Sequence, residues 1–131
     1  MNLPNRGINA YRQTEVQSRS PLELVVMLYD GALRFMREAK AGFEQRDIRK
    51  RAEAVSRTMA IIDQLQNTLD MKAGGDIAKS LDQLYTFVRD RMLQASMHQD
   101  SKPVDDAIAV MSNLRDAWGE ISARESRSVA R

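Results

Sequence analysis

Cysteine is missing from this 131-residue chain, histidine occurs once, and no apolar run approaches the roughly 20 residues of a membrane-spanning helix. Each shortage closes off a class of function. Without thiols there is no disulfide framework, no thiolate metal site and no cysteine nucleophile; a reducing compartment is permitted but not required. The lone His98 cannot furnish the paired Glu-x-x-His motifs with which helical bundles hold two metal ions, and the residue three before it is Ala95. Its place near the end of a helical pattern suits a capping role at the negative end of the helix dipole. No segment alternates apolar and polar residues between turn signals, so no glycine-rich phosphate loop can follow a strand. The opening MNLPNRGINAYRQ lacks the charged-then-apolar order of a secretory leader, and export by that route is not expected. Nothing calls for a cofactor, a metal or a catalytic residue.

Charge is present in quantity, with a formal net charge of +2, and its position matters more than its sum. Residues 1–20 carry Arg6, Arg12 and Arg19 against Glu15, and residues 123–131 carry Arg124, Arg127 and Arg131 against Glu125. The body between them therefore keeps 14 of the 20 basic and 16 of the 18 acidic residues, and is slightly acidic. A folded nucleic-acid binder shows its basic face on the body, so nucleic acid is not the expected partner.

Helix punctuation organises the rest. Ser20-Pro21-Leu22-Glu23 combines a serine N-cap, proline at the first helical position and a glutamate that completes a capping box. Val25, Leu28, Tyr29, Ala32, Phe35, Met36, Ala39 and Phe43 then recur at helical spacing, while Leu22, Leu24, Val26, Met27 and Leu33 make the first half apolar nearly all round. Asp47 caps a second helix with Ile48, Ala52, Val55, Met59, Ile62, Leu65 and Leu69 on its stripe. Gly74-Gly75 breaks the pattern. A third helix starts near Asp76 and is expected to bury Ile77, Leu81, Leu84, Tyr85, Val88, Met92 and Ala95. Pro103 opens a fourth with Val104, Ala107, Ile108, Met111, Leu114, Trp118 and Ile121. Short turns predict antiparallel neighbours, hence an all-α, up-and-down four-helix bundle. It occupies residues 20–122 as one domain, with a flexible N-terminal arm at 1–19 and a flexible tail at 123–131.

Two surface features stand out from this frame. Arg46, Arg49, Lys50 and Arg51 form the strongest basic patch, and three of them sit in a first helical turn where positive charge opposes the dipole. It reads as a solvated helix end or as a docking patch for an acidic partner. Eight methionines, most expected as core filler, also suit a groove that adapts to amphipathic helices of another chain.

Ala10-Tyr11, then Ser20-Pro21-Leu22-Glu23-Leu24, then Met27-Leu28-Tyr29-Asp30-Gly31-Ala32-Leu33-Arg34-Phe35, resemble the flagellar secretion chaperone family FliS. The resemblance continues through Leu65, Leu69-Asp70, Gly74-Gly75, Ile77-Ala78, Leu81, Leu84-Tyr85, Arg91, Ala95, Leu114-Arg115 and Ala117-Trp118. The Arg49-Lys50-Arg51 run is heavier than the family pattern, and Phe87 stands where tyrosine is frequent. The resemblance implies a cytoplasmic antiparallel bundle that binds the disordered C-terminal region of flagellin in an apolar groove and prevents premature polymerisation. It also implies help in delivery to the export-gate membrane protein of the flagellar type III apparatus, without insertion into the membrane, and in some members self-association as a homodimer. Leu65, Leu69, Ile77, Leu81 and Tyr85 match the family motif and are the expected groove residues, each also fitting ordinary core duty. Ala10 and Tyr11 match the segment that covers the groove. The competing readings are a purely structural helical homodimer, and a weak nucleic-acid binder using the arginine-bearing tails and the Arg46–Arg51 cluster.

Overall fold

A computed structural model of the chain describes residues 19–130, and among these every regular element is an α-helix. They are α1 (Pro21–Glu44), α2 (Ile48–Asn67), α3 (Gly75–His98) and α4 (Lys102–Ala130). The expected caps are in place. The Ser20 hydroxyl accepts from the Glu23 amide at 3.2 Å, and the Asp47 carboxylate accepts from the Lys50 amide at 3.1 Å. Gly74 precedes α3 because a side chain there would fall 2.6 Å from the Ala78 Cβ and 2.8 Å from the Asp70 carbonyl. Gly75 follows with a left-handed φ of 53°.

Neighbouring helices run antiparallel. Asp30 of α1 meets Arg115 of α4, and further along α1 Lys40 meets Asp105, each at 2.8 Å. As α1 advances, its partner on α4 recedes. The same reversal relates α2 to α3, where Asp63 meets Arg89 and Gln66 meets Asp82. α1 packs on both α2 and α4, α4 packs on α3, and the α2–α3 seam closes the ring most sparsely. The interior is formed by Tyr29, Met36, Ile62, Val88, Met92, Val104 and Met111, all fully buried. Each such side chain contributes about 1.5–3 kcal/mol through the water it leaves.

Three expectations are corrected. Ile77, expected in the core, is 73% exposed, and Ile48 and Ile121 also lie open. All three sit toward the bundle ends, where the partner helices run out and a stripe residue has nothing to pack on. Leu69 falls in the α2–α3 connection, since α2 ends at Asn67. Of the methionines on or beside the stripes, Met36, Met92 and Met111 are core, Met59 is half-buried and Met27 is exposed, so most are core filler as expected. Finally, the boundary at 122/123 is not a helix end. α4 runs on to Ala130, and residues 123–128 are exposed. Extending an existing helix needs no apolar stripe, because only nucleation is costly, and the Glu120–Arg124 pair at 2.5 Å spans the boundary.

Candidate functional site

The first half of α1 presents more apolar surface than the bundle covers. Tyr29 is fully buried, yet Leu22, Leu24, Val25, Val26 and Leu28 on the preceding turns are only half-buried and Met27 is exposed. An N-capped helix with a leucine and valine surface on several sides cannot hide all of it against two neighbours.

Beneath this half lies a polar knot in the apolar core. The Tyr29 and Tyr85 hydroxyls are 2.5 Å apart, and the Trp118 indole N–H donates to the Tyr29 oxygen at 3.2 Å. The two phenol rings are tilted by 45° with centroids 6.4 Å apart. The knot joins α1, α3 and α4 and satisfies the polar atoms that these large side chains carry inside. Burial pushes the Tyr85 phenol far above its usual range, and the hydrogen bond to Tyr29 adds to the rise. Burial likewise raises Tyr29, partly offset by the hydrogen bonds from Tyr85 and Trp118.

The five residues expected to line a groove lie in the last turns of α2, in the α2–α3 connection and in the first half of α3, at different depths. Leu65 and Tyr85 are core residues, 3% and 2% exposed. Leu69 and Leu81 are half-buried against that core, and Ile77 stands out in solvent. A polar clasp joins α2 to α3. Gln66 donates to Asp82 at 2.9 Å and to Thr86 at 3.1 Å, while Arg89 donates to Gln66 at 2.8 Å and pairs with Asp63. Ala10 and Tyr11 lie outside the described residues.

The stripe reading missed three exposed apolar residues of α3: Phe87, Leu93 and Met97. The signal was available, because each falls off the stripe that runs from Leu81 through Val88 to Ala95. Beside Phe87, the Arg91 guanidinium lies 5.7 Å from the ring centroid, and its buried Nε has no hydrogen-bond partner among the described residues. His98 is exposed at the end of α3, with Nε2 3.2 Å from the Gln94 amide oxygen. Among the described residues no group of three His, Cys, Asp or Glu side chains could hold a metal ion, and no helix is long and apolar enough to cross a membrane.

Fold and surface together define the class: a small antiparallel four-helix bundle whose first and third helices keep uncovered apolar side chains. Within that class the chain belongs to the FliS family, whose model, described as Flagellar protein FliS, matches residues 4–125. It is 38% identical over 125 residues to the flagellar secretion chaperone FliS of Salmonella typhimurium, covering 92% of this chain and 93% of that one. The protein of the same name from Campylobacter jejuni is 37% identical over 122 residues, covering 93% and 95%. That of Bacillus subtilis is 29% identical over 118 residues, covering 90% and 87%.

Proposed function

We propose that this chain is a cytoplasmic export chaperone for flagellin. It holds the disordered C-terminal region of flagellin in an apolar groove, blocks premature polymerisation, and aids delivery to the export-gate membrane protein. Membership of the FliS family over nearly the whole chain carries this reading. The uncovered apolar side chains of α1 and α3 support it physically. A segment built to assemble into a filament is rich in apolar helical surface, and hiding it requires a complementary apolar host. Burial contributes about 25 cal/mol per Å². That gain must exceed the roughly 2–5 kcal/mol needed to order a disordered client.

The α2–α3 seam is the proposed groove. Ile77, Leu69 and Leu81 are its reachable residues, Leu65 and Tyr85 its floor, and Ala10 and Tyr11 its cover. The clasp across this seam is made of polar contacts that exchange with water at small cost, so a client helix can replace them. The test is co-purification with flagellin and with a C-terminally truncated flagellin. Full-length flagellin is retained, the truncated form is not, and Ile77→Glu weakens capture while circular dichroism and melting stay near wild type. Equal retention of both flagellins, or none of either, ends the proposal. Self-association without capture turns the apolar surface over to a homodimer.

A further inference from the structure

We propose that the end of the bundle formed by the α1–α2 and α3–α4 turns docks an acidic peptide segment of a partner protein. Arg46 and Arg51, with Arg49 on the same turn of α2 as Arg51, would hold its carboxylates, and the exposed side chain of Ile48 its apolar residues. This surface lies apart from the α2–α3 groove residues and does not depend on the flagellin reading.

Shape comes first. Phe43, Arg46, Ile48, Arg51, His98 and Gln99 line an open cleft of about 470 Å³ where the two turns meet. Ile48 is 68% exposed. A surface with both cations and an open aliphatic side chain matches a ligand bearing both carboxylates and aliphatic side chains.

The cations are also uncommitted. Arg46 and Arg49 have no acceptor among the described residues. Arg51 stacks on Phe43 at 5.4 Å, which occupies the face of its guanidinium and leaves the N–H edge open. The carboxylates nearby are engaged elsewhere. Asp47 and Asp100 accept from the Lys50 and Lys102 amides, and Glu44 lies 3.9 Å from Lys40. The other large cleft, between α1 and α2, differs in this respect, because there Arg57 is paired with Glu53 at 3.0 Å.

Stability accounts for only part of the placement, through the Arg51–Phe43 stack and the position of Arg46 just past the C-terminus of α1. Arg46 takes a left-handed φ of 55°, where glycine would sit without strain. Arg49, Lys50 and Arg51 occupy the first turn of α2, where the dipole repels positive charge. The C-terminus of α3 is close enough to attract cations, yet no carbonyl there accepts from Arg46 or Arg51 among the described residues. An arrangement that works partly against the fold and leaves donors open is suited to an anionic ligand. The open aliphatic side chain of Ile48 favours a peptide over nucleic acid, since Phe43 is buried and offers no platform for a base.

The probe is a short fluorescent peptide alternating glutamate and leucine, compared with its glutamine counterpart, inorganic phosphate and a single-stranded oligonucleotide. The glutamate peptide binds, binding falls as salt rises, and Arg46→Gln with Arg49→Gln weakens it about tenfold. Ile48→Ser weakens it as well. Arg46→Gly raises the melting temperature while weakening peptide binding, an opposition that a merely structural cluster does not produce. Flagellin capture is unchanged in all three variants, so failure here and failure of the flagellin reading are told apart. The proposal is overturned if the glutamine peptide binds as well, if phosphate competes equally, or if the oligonucleotide binds more tightly. It is overturned equally if the arginine variants lower the melting temperature and leave peptide affinity intact, which assigns the cluster to the C-terminus of α3.

Discussion

The α1–α2 and α2–α3 seams share a helix but are closed by different chemistry. At the first, Gly42 lets the backbones meet: a Cβ there would lie 2.7 Å from the Arg51 amide nitrogen. Further along, Ile61 approaches Gly31 and Arg57 lies over Phe35 at 5.5 Å. At the second seam the helices touch sparsely, and Gln66, Asp63, Asp82, Thr86 and Arg89 bridge the gap with polar contacts. Close packing leaves no cheap alternative arrangement, because separating the surfaces forfeits dispersion contacts outright. Exposed hydrogen bonds can be exchanged for water at little net cost. A bundle built this way has one side that holds and one side able to part.

The most severe way to break that contrast is to empty the holding side. Met36→Ala removes a fully buried α1 side chain and is expected to cost about 3 kcal/mol, read by urea denaturation. Gly42→Ala comes next, at about 2 kcal/mol, because the added methyl meets the α2 backbone rather than a flexible side-chain end. A smaller loss in either variant would mean that the first seam can relax as the second can.

Alkaline pH probes the knot between the two sides. Tyr29 and Tyr85 ionise near 10 when unfolded and are held protonated above that when folded. Stability is therefore flat well below pH 10 and falls as pH rises through and beyond it. Tyr85→Phe should flatten much of that decline in melts run from pH 9 to pH 11. The smallest effect belongs to the parting side. Arg89→Ala should cost less than about 1 kcal/mol while accelerating amide exchange in the facing turns of α2 and α3. A loss as large as that of Met36→Ala would show that the second seam is a structural closure.

Much of this arrangement was legible in the residues, and the exceptions share a cause. Ser20, Asp47 and Gly74-Gly75 act locally, so the helix starts could be read without tertiary knowledge. Periodicity also placed Tyr29, Met36, Val88 and Met111 correctly inside. It failed at Ile48, Ile77 and Ile121, because spacing reports which way a side chain points and not whether a neighbour extends far enough to cover it. The expected groove residues divided for the same reason. Leu65 shares the stripe of Leu69 and Tyr85 that of Leu81, but depth below the surface depends on how tightly α2 and α3 approach. The Arg46 conformation and the knot at Tyr29, Tyr85 and Trp118 depend on tertiary contacts that no pattern in the chain displays.

The indole in that knot is the chain's single tryptophan, and its N–H is anchored on α4 to an oxygen of α1. Tryptophan emission from the unmodified protein thus arises from one fixed, half-buried spot. Whatever pries the first and last helices apart would shift its colour, giving a label-free optical gauge of core opening at no chemical cost to the molecule.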